Sequence, residues 1–256
     1  MKMKNKLIAF DLDGTLLHPI LKTRLVSKRY VSMLQDYYDS GVSLCIVSGR
    51  GIDFANKIEE AIGRKCHYIG LNGTLIPSIG LYEYIDFEVV YQIEKYDYKM
   101  LYFTFDGIVY AKEKNKEFFI QDYERRKKAK PLYAEEYTYN DKKLEEAIKS
   151  NRIGKIIISG RDLPLDVDGL VIFRKESSDT IELTKKGYNK ALGLNLLTEK
   201  MNISPDDVYV LGDEGNDKEM LQSFTNSFII DHPYNQHLQI STYRIKNMLD
   251  LKRYLK

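Results

Sequence analysis

The sequence predicts an α/β protein, a doubly wound parallel sheet with a second α+β unit inserted after its third strand. Three observations predict it. Short apolar runs that read as buried strands alternate with segments of helical spacing. Those runs stop abruptly in small polar or acidic residues: LIAF (residues 7–10) in Asp11, Asp13 and Gly14, VSLCIV (42–47) in Ser48 and Gly49, and VYVL (208–211) in Gly212 and Asp213. In open parallel sheets the carboxyl ends of the strands face a ligand crevice, so polar groups placed there serve chemistry rather than the core. Third, the alternation breaks near residue 79 and resumes near 180, and the intervening segment holds 11 of the 20 tyrosines. The expected division is a Rossmann-like core of residues 1–78 and 180–256 and an inserted domain of residues 79–179.

The elements follow in order. After the first strand, Ser27 is placed to cap a helix that runs to about Ser40, with Tyr30, Val31 and Leu34 at helical spacing and Gly41 as its stop. Residues 42–47 form the second strand, about 52–62 a helix, and 66–71 the third strand, followed by the turn Asn72-Gly73. In the insert, strands at 101–105 and 108–111 flank Asp106-Gly107, a pair that favours a type I′ hairpin. Residues 114–128 and 141–150 read as helices, and 155–159 and 170–173 as strands. The core resumes with a short strand at 180–184 and a helix at 188–201. Ser204-Pro205 opens a short helix, since serine caps and proline suits the first helical position. A strand at 208–211, a helix at 218–224, a strand at 228–230 and a helix from about Asn247 complete the chain.

Composition excludes several classes. With 43% apolar and 30% charged residues over 256 positions, the chain has ample material for a core. A net charge of +2 gives no general attraction for polyanions. The first apolar run is four residues before Asp11 interrupts it, too short for a signal peptide, and no run approaches a membrane span. A cytoplasmic protein with no membrane or nucleic-acid partner, monomeric or weakly dimeric, is expected. Cys45 and Cys66 fit no disulfide or zinc pattern and read as buried thiols. Arg125-Arg126-Lys127-Lys128, with Lys130, Tyr123 and Tyr133 nearby, reads as a solvated helix face.

Asp11 and Asp13 at one strand end repel unless a cation lies between them, and hard carboxylate oxygens suit Mg²⁺. Four clusters then fall at the edge of one sheet: DLDGTL around Asp11 and Asp13, SGR around Ser48, GYNKAL around Lys190, and GDEGND with Asp213, Asn216 and Asp217. In this order they resemble the four motifs of the haloacid dehalogenase-like (HAD) phosphohydrolases. An insert after the third strand is similar to the Cof-like subfamily, whose C2B cap domain enters there.

The resemblance implies a Mg²⁺-dependent phosphatase acting on a small phosphorylated metabolite, a sugar phosphate or a phosphorylated cofactor. It implies Asp11 as nucleophile, Asp13 as general acid and base, and Ser48 and Gly49 as holders of the phosphoryl oxygens. Lys190 would stabilise the phosphorylated state, with Asn72 and Asn216 near substrate. The metal set would be Asp11, Asp13 through its carbonyl, Asp213 and Asp217. Lys185 and Lys186 are expected to be solvated loop charges, and Arg50 to meet substrate, cap or a nearby carboxylate. His232 stands where family members carry an asparagine. A phosphomutase, or a non-catalytic regulatory protein that binds a phosphometabolite, are the alternatives.

Overall fold

The structure is a computed structural model of the chain and describes residues 5–17, 25–129, 136–160, 167–174 and 179–255. The chain opens with β1 (Leu7–Phe10), α1 (Lys28–Asp39), β2 (Ser43–Val47), α2 (Ile52–Ile62) and β3 (His67–Ile69). A small hairpin, β4 (Leu75–Ile76) and β5 (Leu81–Tyr82), leads to α3 (Phe87–Glu94), β6 (Met100–Thr104), β7 (Val109–Ala111) and α4 (Lys116–Ala129). Next come β8 (Thr138–Tyr139), α5 (Asp141–Lys149), β9 (Ile153–Ser159), β10 (Leu170–Arg174) and β11 (Thr180–Lys185). The chain ends with α6 (Lys190–Met201), β12 (Val208–Gly212), α7 (Lys218–Ser223), β13 (Asn226–Ile230), β14 (Tyr243–Ile245) and a 3₁₀ segment (Met248–Arg253).

Six strands form a parallel sheet in the order β14-β13-β12-β1-β2-β3. Counted among themselves, these strands have the order 6-5-4-1-2-3 of a doubly wound sheet, whose direction of winding reverses beside β1. Successive strand residues face opposite ways, so β1 feeds two cores. Ile8 and Phe10 pack with Met33, Leu34, Phe54 and Ile58 of α1 and α2. Leu7 and Ala9 pack with Leu194, Leu197, Met220 and Leu221 of α6 and α7. The Ser27 hydroxyl accepts from Tyr30 N at 3.2 Å and caps α1 as expected.

A second sheet has the order β10-β11-β9-β6-β7-β8 and is antiparallel except where β8 joins β7. One face carries α3 and α5, with Ile156, Ile158, Ile181 and Leu183 beneath them. On the other face Leu101, Phe103, Val109 and Ala111 join the cluster that contains Ile8, Leu71 and Leu75, so the second sheet shares a core with the first.

The structure corrects several readings of the sequence. Residues 180–184 are not a core strand: they belong to β11, which pairs antiparallel with both β9 and β10, so the second sheet extends to Lys185. Asp106-Gly107 does not make a type I′ turn, which requires positive φ at both central residues. Gly107 has φ 87° and Asp106 is not among the positive-φ residues, while Gly107 N donates to Thr104 O at 3.3 Å. This is the longer hairpin loop with one left-handed glycine. The C-terminal helix is a 3₁₀ segment, its start capped by Asn247. Helix α3, the β4–β5 hairpin and β14 had no counterpart in the sequence reading: the hairpin strands have two residues each, and β14 is largely exposed.

Among the described residues no helix is long and apolar enough to cross a membrane. On α4, Arg125 and Arg126 both pair with Asp122, at 2.6 and 2.9 Å, which fits a solvated helix face. Lys130 and Tyr133 lie outside the described residues. Cys45 is buried and Cys66 half-buried, both as free thiols.

Gly154 sits where β9 meets the residues after β3. A Cβ there would lie 2.5 Å from Phe105 Cε1 and 2.7 Å from Leu71 Cδ1. Gly154→Ala is expected to destabilise the protein by about 1–3 kcal/mol through overpacking, read as a lower midpoint in thermal or urea unfolding.

Candidate active site

The carboxyl ends of β1, β2 and β12 lie side by side in the parallel sheet, so their following residues share one edge. From these ends come Asp11, Ser48 and Asp213. Asp11 continues the ladder by donating its N–H to Leu211 O at 3.0 Å, which carries its side chain to the rim beside β12. Gly14 then turns the chain at φ 88°, and any side chain there would collide with the Asp213 carboxylate. Glycine is required by both backbone and space.

Lys190 arrives from a different element. Asn189 caps α6 by accepting from Leu192 N at 2.9 Å, and the first helical residue aims its side chain at the strand ends. Its ammonium, 1% exposed, donates to Asp11 Oδ1 and Asp217 Oδ1, both at 2.7 Å. The other oxygen of Asp217 accepts from the N–H groups of Asp213, at 3.0 Å, and Glu214, at 3.2 Å. Asp217 thus shapes the GDEGND turn and orients the lysine.

One carboxylate oxygen each from Asp11, Asp213 and Asp217 lie within 4.8 Å of one another, all three residues buried. Burial pushes the Asp11 carboxyl from its ordinary 3.8 up to about 7; Lys190 pulls it down, and Asp217 and Asp13 push it up again. Burial raises Asp213 well above the ordinary range, with Asp11 and Asp217 adding to the shift. Burial also works against the charge on Lys190, but Asp11 and Asp217 outweigh it and raise its pKa, so the lysine stays cationic. One ammonium against three buried carboxylates leaves negative charge uncompensated. A hard divalent cation among these oxygens fits the donor set.

Two side chains that the sequence reading did not single out hold Asp213. Thr15 Oγ1 donates to Oδ1 at 2.9 Å, and the Tyr234 hydroxyl donates to Oδ2 at 2.6 Å. Burial and the Asp213 carboxylate push the Tyr234 pKa up, which keeps this hydroxyl a donor. Asn235 Nδ2 donates to the carbonyls of Asp213 and Ile230, each at 2.8 Å. His232 Nε2 lies 2.7 Å from Gly14 O, and the imidazole stacks on Tyr234 with centroids 4.9 Å apart. For Tyr234 and Asn235 the only signal in sequence was position, since both follow the strand next to β12.

Asp13, with a side chain 42% exposed, faces outward from this cluster. Arg50 clamps it through Nε to Oδ2 at 2.7 Å and Nη2 to Oδ1 at 2.8 Å, while the guanidinium covers Phe54 at 4.1 Å. Arg50 therefore meets a nearby carboxylate, one of the three partners expected. Ser48 is buried and its hydroxyl accepts from Arg50 N at 3.2 Å. Helix α2 is capped by Gly51, so Gly49 lies in the turn before the helix rather than at its start.

Asn72, at φ 57°, spends its side chain on other residues: Nδ2 donates to Glu182 at 2.6 Å, and Oδ1 accepts from Asn216 at 3.3 Å. The structure thus links Asn72 and Asn216 to each other. Lys185 pairs with Glu83 at 3.1 Å and Lys186 with Asp168 at 2.6 Å, both away from the cluster.

Comparisons with known proteins identify the family of the chain. Residues 8–248 match the family model of the haloacid dehalogenase-like hydrolases. The chain is 26% identical over 259 residues to the 5-amino-6-(5-phospho-D-ribitylamino)uracil phosphatase YitU of Bacillus subtilis, covering 87% of this chain and 85% of that protein. It is 24% identical over 257 residues to the HMP-PP phosphatase of Escherichia fergusonii, covering 90% and 86%. Among solved structures, a haloacid dehalogenase-like hydrolase from B. subtilis superposes with a TM-score of 0.77 at 22% identity, over 98% of this chain and 100% of that one. Matched across nearly its whole length, the chain belongs to the haloacid dehalogenase-like hydrolase family, to which its four motifs pointed.

Proposed function

We propose that the protein is a Mg²⁺-dependent phosphatase that hydrolyses a small phosphorylated metabolite through an aspartyl-phosphate on Asp11. The observation that carries this reading is Asp11 itself, a buried carboxylate held by Lys190 at the rim of the sheet beside Asp213 and Asp217. The two relatives named above act, by their names, on small phosphorylated compounds, which supports the substrate class.

Asp11 attacks phosphorus with one carboxylate oxygen while Lys190 holds Oδ1. Covalent capture divides one hard displacement into two easier ones. Ser48 and the N–H of Gly49 hold the phosphoryl oxygens. Asp13 protonates the departing oxygen and then takes a proton from the water that cleaves the acyl phosphate, so one residue serves as acid and then base. For this the leaving group must take the place of Arg50 on the Asp13 carboxylate. Asp11, Asp213, Asp217 and the Asp13 carbonyl would hold Mg²⁺. When bound, the ion supplies positive charge that offsets repulsion between an anionic nucleophile and a phosphate ester. Residues of the second sheet would read the leaving group.

The test is phosphate release from a panel of sugar phosphates, nucleotides and phosphorylated cofactors, with Mg²⁺ and with chelator. Metal-dependent release is expected; release of an isomerised product without inorganic phosphate would make the protein a mutase. Asp11→Asn should abolish turnover in a folded protein, and appreciable activity in that variant would remove Asp11 from the nucleophile role. Asp13→Asn should lose less activity on nitrophenyl phosphate, whose leaving group needs no proton, than on alkyl phosphates.

A third expectation concerns pH. With its carboxyl raised to about 7, Asp11 in the metal-free fold keeps a proton that the unfolded chain has released above 3.8. The fold therefore loses stability from this group as pH rises from about 4 through about 7, and cation and proton compete for the same oxygens. The gain in thermal midpoint on adding Mg²⁺ should be larger at pH 8 than at pH 6, measured by calorimetry against a chelated control.

A further inference from the structure

The second sheet buries two charges against the turn that carries Ser48 and Gly49. Lys155 of β9 and Glu182 of β11 are 2% and 3% exposed. Their neighbours Ile156, Ile158, Ile181 and Leu183 point the other way, beneath α3 and α5. Lys155 and Glu182 therefore project toward the parallel sheet. Their charged atoms are 3.8 Å apart, and the Lys155 ammonium lies 4.5 Å from the Phe103 ring centroid.

Each charge reaches across to the other sheet's loops. Lys155 Nζ donates to the carbonyl oxygen of Gly49. Glu182 Oε2 accepts from Asn72 Nδ2 at 2.6 Å, and Asn72 in turn donates its backbone N–H to Ser48 O at 3.1 Å. The peptide whose oxygen Lys155 holds is the one whose N–H, from Arg50, donates to Ser48 Oγ at 3.2 Å. A Cβ on Gly49 would lie 2.9 Å from Asn72 Oδ1, so the turn and the asparagine are in close contact. Through Asn216 the same chain of bonds reaches the GDEGND turn.

A buried ion pair is costly, and apolar residues of similar volume often stabilise a fold as well or better. The carbonyl of Gly49 and the amide of Asn72 give this pair a task that apolar residues could not perform. Those contacts exist only while the second sheet sits on the first.

We propose that Lys155 and Glu182 are positioning residues that couple docking of the second sheet to the shape of the phosphate-holding turn. Lys155 fixes the Gly49–Arg50 peptide, and Glu182 fixes Asn72 against Ser48. The docked form then binds phosphate more tightly than the undocked form, and by linkage phosphate favours docking. This rests on the reading of Ser48 and Gly49 as the groups that hold the phosphoryl oxygens.

The test uses the full chain with Mg²⁺ and inorganic phosphate as probe, titrated by calorimetry. Lys155→Met should weaken phosphate binding by about tenfold, and Lys155→Arg should restore it to within about threefold of wild type. In steady state, KM should rise about tenfold in Lys155→Met while kcat changes less. Because that variant leaves Glu182 without its cation, the pair Lys155→Met/Glu182→Leu is made as well; it removes both charges and should fold. Weak phosphate binding in the double variant, at a wild-type thermal midpoint, supports the coupling. Wild-type phosphate affinity in either folded variant overturns it, as does a wild type that binds no phosphate. A wild type that binds phosphate yet hydrolyses no ester would sink the phosphatase reading alone, since the comparison of phosphate affinities would still decide this one.

Discussion

The structure depends on one electrostatic constraint, the burial of three carboxylates around one ammonium. Asp11, Asp213 and Asp217 are all under 7% exposed, and Lys190 is the buried cation that bonds two of them. Such a group is tolerated only if every oxygen has a donor or a cation. The surrounding chain supplies donors to two of these carboxylates: the Asp213 and Glu214 N–H groups on Asp217, and Thr15 and Tyr234 on Asp213. The left-handed Gly14, the cap at Asn189 and the turn after β12 are consequences of bringing these donors to one place.

The parallel sheet makes that convergence possible. Strands β1 and β12 are neighbours in space although about two hundred residues apart in sequence, and each ends in an acid of the cluster. Lys190 comes from the helix that follows the second sheet, so in sequence that sheet separates β1 and β2 from the lysine and from β12 of the same site. The inner face of the second sheet adds Lys155 and Glu182 to the opposite side of the Ser48–Arg50 turn. Arg50 closes the constellation by tying Asp13 to the start of α2, where its guanidinium rests on Phe54.

Much of the core was legible because its signals are local. A four-residue apolar strand that stops at Asp11 has one sensible environment, and β1, β2 and β12 lie where their apolar runs are. Serine and asparagine caps, and glycine after a helix, act within one turn and need no distant partner. The second sheet was read less well. Residues 180–184 carry the alternation of a strand, but alternation does not say which sheet a strand joins, and the pairing with β9 and β10 decided it. The hairpin at Asp106-Gly107 kept its glycine but not the turn type assigned from the dipeptide, because Thr104 and Ile108 set a longer loop.

The sequence by itself determined that acids, a serine and a lysine stand at strand ends and a helix start, since hydrophobic runs and caps are written residue by residue. Only the tertiary structure decided what each polar atom touches. That Arg50 clamps Asp13, that Tyr234 holds Asp213, and that Asn72 bonds Glu182 across 110 positions depends on which loops the sheets bring together. Hydrogen bonds form within about 3 Å, and no pattern along the chain encodes a distance between residues so far apart in sequence.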